Sequence, residues 1–192
     1  NGGWKSTAPW TEHESKIKSI TFEKGITSIG SYAFYELTNV GGNCVVPEGV
    51  RRIGYGTFYK TPFNGTLTLP STLKTIDGAA FYECTGIKGA LVIPEGVTEI
   101  RMAAFRNLAI TSVSIPSTLK YIEIPAIFYC ENLASYSVAD GNENYCSEDG
   151  ILFSKDKTVL IGYPSARTGT YTVPETVTEL AGNCFSTTDL SK

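Results

Sequence analysis

Residues 66–81 read TLTLPSTLKTIDGAAF, and this pattern decides the fold because it recurs along most of the chain. Leu67 and Leu69 flank a polar residue, which is typical of a short strand with one buried face. Pro70 follows, and its missing backbone donor ends the hydrogen-bond ladder. Three further apolar side chains complete the segment: Leu73, Ile76 and Phe81. The segment therefore predicts a short strand, a turn and a buried aromatic anchor.

The same pattern repeats at a nearly fixed interval, which indicates stacked structural units. The predicted anchors are 24, 23, 24 and 23 residues apart: Phe34, Phe58, Phe81, Phe105 and Phe128. Within coil five the pattern carries one extra residue near Ile124-Pro125. A further regular coil ends at Phe185. We predict about seven coils of 22–24 residues, built mainly from short β-strands with short helical or 3₁₀ turns.

The segment 133–169 departs from the period and is predicted to form one enlarged coil. Residues 139–144 are polar and predict a loop, and 150–153 and 158–161 are apolar runs around a polar turn, which predicts a β-hairpin. Four acidic residues lie near the loop: Asp140, Glu143, Glu148 and Asp149. They lack the ligand order of an EF-hand, so a solvated loop is favoured over a calcium site.

The first residues precede the repeats and carry both tryptophans, Trp4 and Trp10. An open solenoid end exposes apolar side chains that something must cover. The tryptophans are either a binding platform or a cap on the first coil, and the cap is favoured. We therefore divide the chain into an N-terminal cap at 1–16 and a solenoid at 17–190.

The repeats resemble the BspA-type leucine-rich repeats of bacterial cell-surface proteins. Residues 81–84 (FYEC), leading through Ile87 to 91–94 (LVIP), carry the resemblance best, and the wide coil at 142–163 is similar to an enlarged repeat of that family. The resemblance implies a right-handed leucine-rich-repeat solenoid that is secreted or at the cell surface. It also implies a role in adhesion or host-protein binding, with no shared catalytic residues.

Composition and residue types exclude several function classes. A net charge of −3 gives no bulk attraction to nucleic acid, and no apolar run is long enough for a membrane span. His13 is the only histidine and the five cysteines are scattered, so we expect no metal site, no cofactor and no enzyme activity. Cys84 and Cys130 lie two coils apart, about 9–10 Å, which is beyond disulfide reach. We expect free, buried cysteines, with Cys146 the most exposed.

Repeats also create columns of equivalent side chains. One column directly follows the predicted anchors: Tyr35, Tyr59, Tyr82, Arg106 and Tyr129. Tyrosines stacked about 5 Å apart form a strip suited to protein or glycan recognition, although the rings could simply cover the turns beneath them. A second column could attract an acidic partner or be a solvated face: Thr27, Arg51, Lys74, Thr98 and Lys120.

The sequence thus predicts a non-enzymatic binding or adhesion module whose partner is a host or cell-surface protein or glycan. The alternative is a structural spacer that carries another module. A hydrolase is disfavoured because no nucleophile–base pair is visible.

Overall fold

In the computed structural model, which describes residues 9–186, the chain forms a β-solenoid of about seven turns, as predicted. A 3₁₀ helix spans Thr11–Lys16. The strands that follow are β1 Ser28–Ile29, β2 Cys44–Val45, β3 Arg52–Ile53, β4 Leu67–Thr68, β5 Thr75–Ile76, β6 Lys88–Val92, β7 Glu99–Ile100, β8 Ala109–Ile115, β9 Tyr121–Ile122, β10 Ser135–Val138, β11 Tyr145–Glu148, β12 Ile151–Ser154, β13 Val159–Gly162 and β14 Glu179–Leu180.

Most regular coils contribute two strands, whereas the sequence pattern predicted one. The predicted strands are β2, β4, β6, β8 and β10, and they form the parallel sheets β2-β4 and β10-β8-β6. A second set forms the parallel sheet β1-β3-β5-β7-β9. Each strand of that sheet has two residues, too few to show alternation. The repeat pattern also places an apolar-x-apolar strand segment at residues 20–22 and at 171–173, but both segments are irregular.

The anchor phenylalanines form a ladder through the core. Phe34, Phe58, Phe81 and Phe105 stack face to face, with centroids 5.2–5.5 Å apart. In these four turns the anchor N–H donates to a carbonyl of the next coil, as from Phe58 to the Ala80 oxygen at 2.8 Å. The turns therefore stack in register, and side chains at equivalent positions repeat from coil to coil.

Trp10 continues this ladder at its N-terminal end. Its ring stacks on Phe34 at 5.3 Å and 10°, which is the spacing between successive anchors. Its Nε1–H donates to the Ala33 oxygen at 3.0 Å. In later coils the equivalent carbonyl accepts the N–H of the preceding anchor. Trp10 thus replaces both the ring and the donor of a preceding coil, which supports the cap interpretation, while Trp4 lies outside the described residues.

Coil five places Ile127, not Phe128, in the anchor position. Phe105 N–H donates to the Ala126 oxygen, and Asn107 N–H donates to the Phe128 oxygen. Phe128 therefore aligns with Arg106. Ile100 pairs with Ile122, and each is followed by its anchor five residues later (105 − 100 = 5 and 127 − 122 = 5), so no residue is inserted. The predicted anchor Phe128 and the predicted extra residue are both wrong, because an aliphatic side chain fills this anchor position.

Alternate coils carry two different turn sequences, and hydrogen bonds join the turn of one coil to the turn of the next. Residues 47–50 and 94–97 read PEGV, whereas 70–73 and 116–119 read PSTL. The Glu48 carboxylate accepts hydrogen bonds from the backbone N–H and the hydroxyl of Ser71, both at 2.9 Å. The backbone N–H and hydroxyl of Ser117 hold Glu95 in the same way, both at 3.0 Å. The hydrogen bonds from these serines lower the pKa of both carboxyl groups.

The enlarged coil contains the predicted β-hairpin, with β12 and β13 antiparallel. β11 also pairs with β12, in a strand that the sequence analysis missed. The polar loop before it is anchored by buried Asn142, whose Nδ2 donates to the Pro116 and Leu119 oxygens at 2.7 and 3.1 Å. The hairpin, β14 and the last turn enclose a second, smaller core.

All five cysteines are free, as predicted, and only Cys146 is partly exposed. Cys84 donates a hydrogen bond to the Phe58 oxygen at 2.9 Å, and Thr61 donates the equivalent bond to the Phe34 oxygen at 2.6 Å. Burial raises the pKa of the Cys130 thiol to about 11. The buried Cys84 and Cys130 therefore act as small hydrogen-bond donors rather than as reactive groups.

Candidate binding surface

The column after the anchors is fixed by the turn backbone. Each of the first four turns has two left-handed residues four positions apart, as at Gly56 (φ 58°) and Lys60 (φ 55°), and the fifth keeps only the second of these positions, at Tyr129. The intervening N–H groups alternate between bonds to their own turn and bonds to the next coil. The residue just before the second left-handed position is Tyr35, Tyr59, Tyr82, Arg106 and Phe128 in successive coils.

The tyrosines stack as predicted. The rings of Tyr35 and Tyr59 lie 4.8 Å apart at 11°, and those of Tyr59 and Tyr82 lie 4.7 Å apart at 8°. Because the rings cover one another's faces, they present their edges to solvent. The hydroxyls of Tyr59 and Tyr82 have no hydrogen-bond partner within residues 9–186, whereas that of Tyr35 interacts with Glu36. Burial, with a smaller contribution from Glu36, raises the pKa of Tyr35.

Arg106 extends the stack. Its guanidinium carbon lies 4.7 Å from the Tyr82 ring centre and 5.0 Å from the centres of both Phe128 and Tyr129. The cation is therefore clamped between aromatic rings on two sides, an arrangement stabilised by attraction to the ring faces. Its Nε atom is buried, and no group within the described residues accepts a hydrogen bond from it.

Tyr129 does not hold the fifth position of the column, which belongs to Phe128. Tyr129 packs against Phe128 with centroids 4.9 Å apart and remains 37% exposed. Both rings contact Arg106, so the structure still brings together the five candidate binding residues. We call this continuous surface the strip: Tyr35, Tyr59, Tyr82, Arg106, Phe128 and Tyr129.

A row of exposed apolar side chains beside the strip was missed by the sequence analysis. Tyr55, Met102 and Ile124 are 46%, 51% and 41% exposed. Tyr32 joins this row to the strip through ring contacts of 5.6 Å with both Tyr35 and Tyr55. The spacing could have revealed this row, because each of the three exposed residues lies two positions after the buried isoleucine that ends the second strand of its coil.

The second predicted column borders the five-stranded sheet, where charges of both signs occur. Arg52 forms an ion pair with Asp77, and Arg101 forms one with Glu99 at 2.5 Å. No ion pair joins the described residues to Arg51, Lys74 or Lys120. These cations are spaced along a mixed, solvated face rather than gathered in a pocket.

The described part of the chain has no cluster of side chains suited to binding a metal ion. No group of three or more His, Cys, Asp or Glu side chains within residues 9–186 could hold a metal ion. A cavity near Ile124, Cys130 and Cys184 measures about 30 Å³, enough for a water molecule, and an open apolar groove of about 540 Å³ lies beside Trp10 and Phe22. Over the same residues, no helix has the length and apolar character that crossing a bilayer requires.

The family assignment comes from the repeats themselves. The sequence profile of the BspA type leucine rich repeat region matches residues 12–134 in six copies. The chain belongs to this family. BspA type leucine-rich repeat proteins are typically non-enzymatic. No curated protein matches the sequence.

Solved bacterial leucine-rich repeat proteins share the fold. A leucine-rich repeat protein from Eubacterium ventriosum is 28% identical with a TM-score of 0.82, over 97% of this chain and 50% of that one. One from Bacteroides ovatus is 21% identical with a TM-score of 0.58, over 85% and 52% of the two chains. This BspA type chain thus spans about half the length of the solved structures it matches.

Proposed function

We propose that this BspA type chain is a non-enzymatic protein-binding module, secreted or displayed at a bacterial cell surface, and that the strip contacts the partner. The observation that carries the proposal is the uninterrupted stack from Tyr35 to Tyr129, with exposed edges and an exposed apolar row beside it. Family membership supports the surface location and the adhesive role. The cap at 1–16 and the solenoid at 17–190 act as one unit in this proposal.

A protein partner fits the strip better than a neutral glycan does. Sugar rings bind aromatic side chains through the flat ring faces, and here the faces of Tyr59 and Tyr82 are covered by their neighbours. The edges and the adjoining row offer hydroxyls, a guanidinium and apolar groups. Tyrosine, methionine and arginine are the residues enriched in protein–protein interfaces.

The test is a binding screen with a matched tyrosine control. The chain is immobilised and screened against host-matrix proteins and a glycan array. We expect saturable binding to a protein, reduced at least about tenfold by the combined changes Tyr35→Ser, Tyr59→Ser, Tyr82→Ser and Tyr129→Ser, because interface tyrosines are common hot spots.

Tyr121→Ser is the control, because Tyr121 is 45% exposed but lies in β9, outside the strip. It should bind like the wild type. Equal binding by the strip variant and the wild type would refute the role of the strip. The absence of saturable binding to any protein would favour the spacer interpretation.

A further inference from the structure

Aromatic rings hold the Arg106 side chain in place, but no acidic side chain among the described residues pairs with its charge. The guanidinium lies between Tyr82 on one side and Phe128 and Tyr129 on the other. None of the ion pairs formed within residues 9–186 includes it, and no described residue accepts a hydrogen bond from it. Glu83, which follows Tyr82 in the preceding coil, is paired with Lys60 at 3.6 Å.

The N–H groups of the Arg106 guanidinium are therefore held in a fixed plane, and no described residue accepts a hydrogen bond from them. Ring stacking fixes the plane of the guanidinium and removes much of the conformational freedom that an arginine normally loses on binding. The ring faces satisfy the cation above and below but accept no hydrogen bonds in its plane. The outward edge therefore matches the planar, two-oxygen geometry of a carboxylate.

We propose that Arg106 recognises a carboxylate on the bound protein, so that the strip selects a segment carrying an aspartate or glutamate flanked by apolar or aromatic residues. The carboxylate pairs with the outward edge of Arg106. The flanking side chains pack on the tyrosine edges and on the row containing Met102 and Ile124. This inference rests on the proposed function and adds to it the chemistry of the partner.

Charge complementarity distinguishes this position from the other cations. Lys60 lies over the Tyr59 ring at 5.4 Å but is already paired with Glu83. Arg101 lies over Tyr121 at 5.4 Å but is paired with Glu99. Within the described residues, Arg106 is the ring-clamped arginine of the strip that lacks an acidic partner.

The test is selection of linear peptides from a random displayed library on the folded chain. We expect the selected peptides to share one fixed aspartate or glutamate. Changing that residue to its amide should weaken binding roughly 10- to 100-fold, the range for a hydrogen-bonded charge. Arg106→Gln should cause a similar loss, and Arg106→Lys, which keeps the charge but not the fork, should recover only part of it. Arg51→Gln, an exposed arginine outside the strip, is the matched control.

The outcomes separate this inference from the proposed function. Thermal melts establish that each variant is folded before binding is compared. Peptides that lose binding in the Tyr59→Ser/Tyr82→Ser variant but show no acidic preference and tolerate Arg106→Gln would overturn the inference and leave the proposed function standing. Peptides that bind equally well to the tyrosine variant would overturn both. Binding to uronate-containing oligosaccharides, but to no peptide, would also overturn the inference.

Discussion

Replacing Phe81 with alanine is expected to destabilise the solenoid far more than replacing Phe128. Phe81 is fully buried and stacks on Phe58 at 5.2 Å and on Phe105 at 5.5 Å. Truncating a buried phenylalanine in a core of this kind costs about 3–5 kcal/mol. Phe128 is only partly buried, so its lost burial is worth about half of the roughly 1.5–3 kcal/mol for a full side chain. Its contact with Arg106 adds about 0.5–1 kcal/mol, which gives roughly 1–2.5 kcal/mol in total.

Urea denaturation of both variants, followed by circular dichroism, measures the two losses in the free energy of unfolding. The comparison tests the register of coil five, because the sequence period alone makes Phe128 an anchor equivalent to Phe81. Equal losses in the two variants would contradict the assignment of Ile127 to the anchor position. A loss below about 1 kcal/mol for Phe81→Ala would contradict the anchor ladder itself.

Three other predictions concern Trp10, the hydrogen-bonded Glu48 and Glu95, and the cysteines. Trp10→Ala should cost about 2–4 kcal/mol in urea denaturation, whereas Trp10→Phe should keep the stack and lose only about 1–2 kcal/mol with the hydrogen bond; equal losses would refute the dual role of the indole. Because hydrogen bonds lower the pKa of Glu48 and Glu95 in the folded chain, their contribution to stability is present above their ordinary pKa of 4.5 and is lost as the pH falls through the lowered values. The Glu48→Gln/Glu95→Gln variant should therefore lose less stability than the wild type between neutral pH and the acid range below 4.5. A pH profile of the melting temperature identical to that of the wild type would contradict a stabilising role for these hydrogen bonds. A thiol reagent such as DTNB should modify Cys146 in the native chain and reach the four buried cysteines only after denaturation: Cys44, Cys84, Cys130 and Cys184; rapid native labelling of more than one thiol would contradict their burial.

Much of the fold could be predicted from the sequence because each coil repeats the same packing problem. The apolar pattern around Leu67 and Phe81 located the first strand, the turn and the core of each coil. The second strand escaped prediction because strands such as Thr75–Ile76 have two residues, too short for a periodic signal. The register of coil five was misassigned because Ile127 and Phe128 are both apolar and only the hydrogen bonds distinguish them.

The candidate surface was predictable in outline but not in chemistry. Equivalent positions in a repeat must stack, so the column from Tyr35 to Arg106 followed from counting. The clamping of Arg106 by rings of the next coil depends on the coil-five register, and the pairing of Glu83 with Lys60 depends on side-chain positions. Neither is visible in the spacing of residues. The row containing Tyr55 and Met102 was visible as a column but lacked a uniform residue type.

Hydroxyl-radical footprinting of a complex shows whether the partner covers the strip, because it reports the exposure of individual tyrosines. The probe is a protein recovered from the matrix-protein screen, added at saturation to the wild-type chain. The account predicts that oxidation of Tyr59, Tyr82 and Tyr129 falls on binding, while oxidation of Tyr121 on the five-stranded sheet is unchanged. Protection of Tyr121 with no protection of Tyr59 or Tyr82 would contradict binding through the strip.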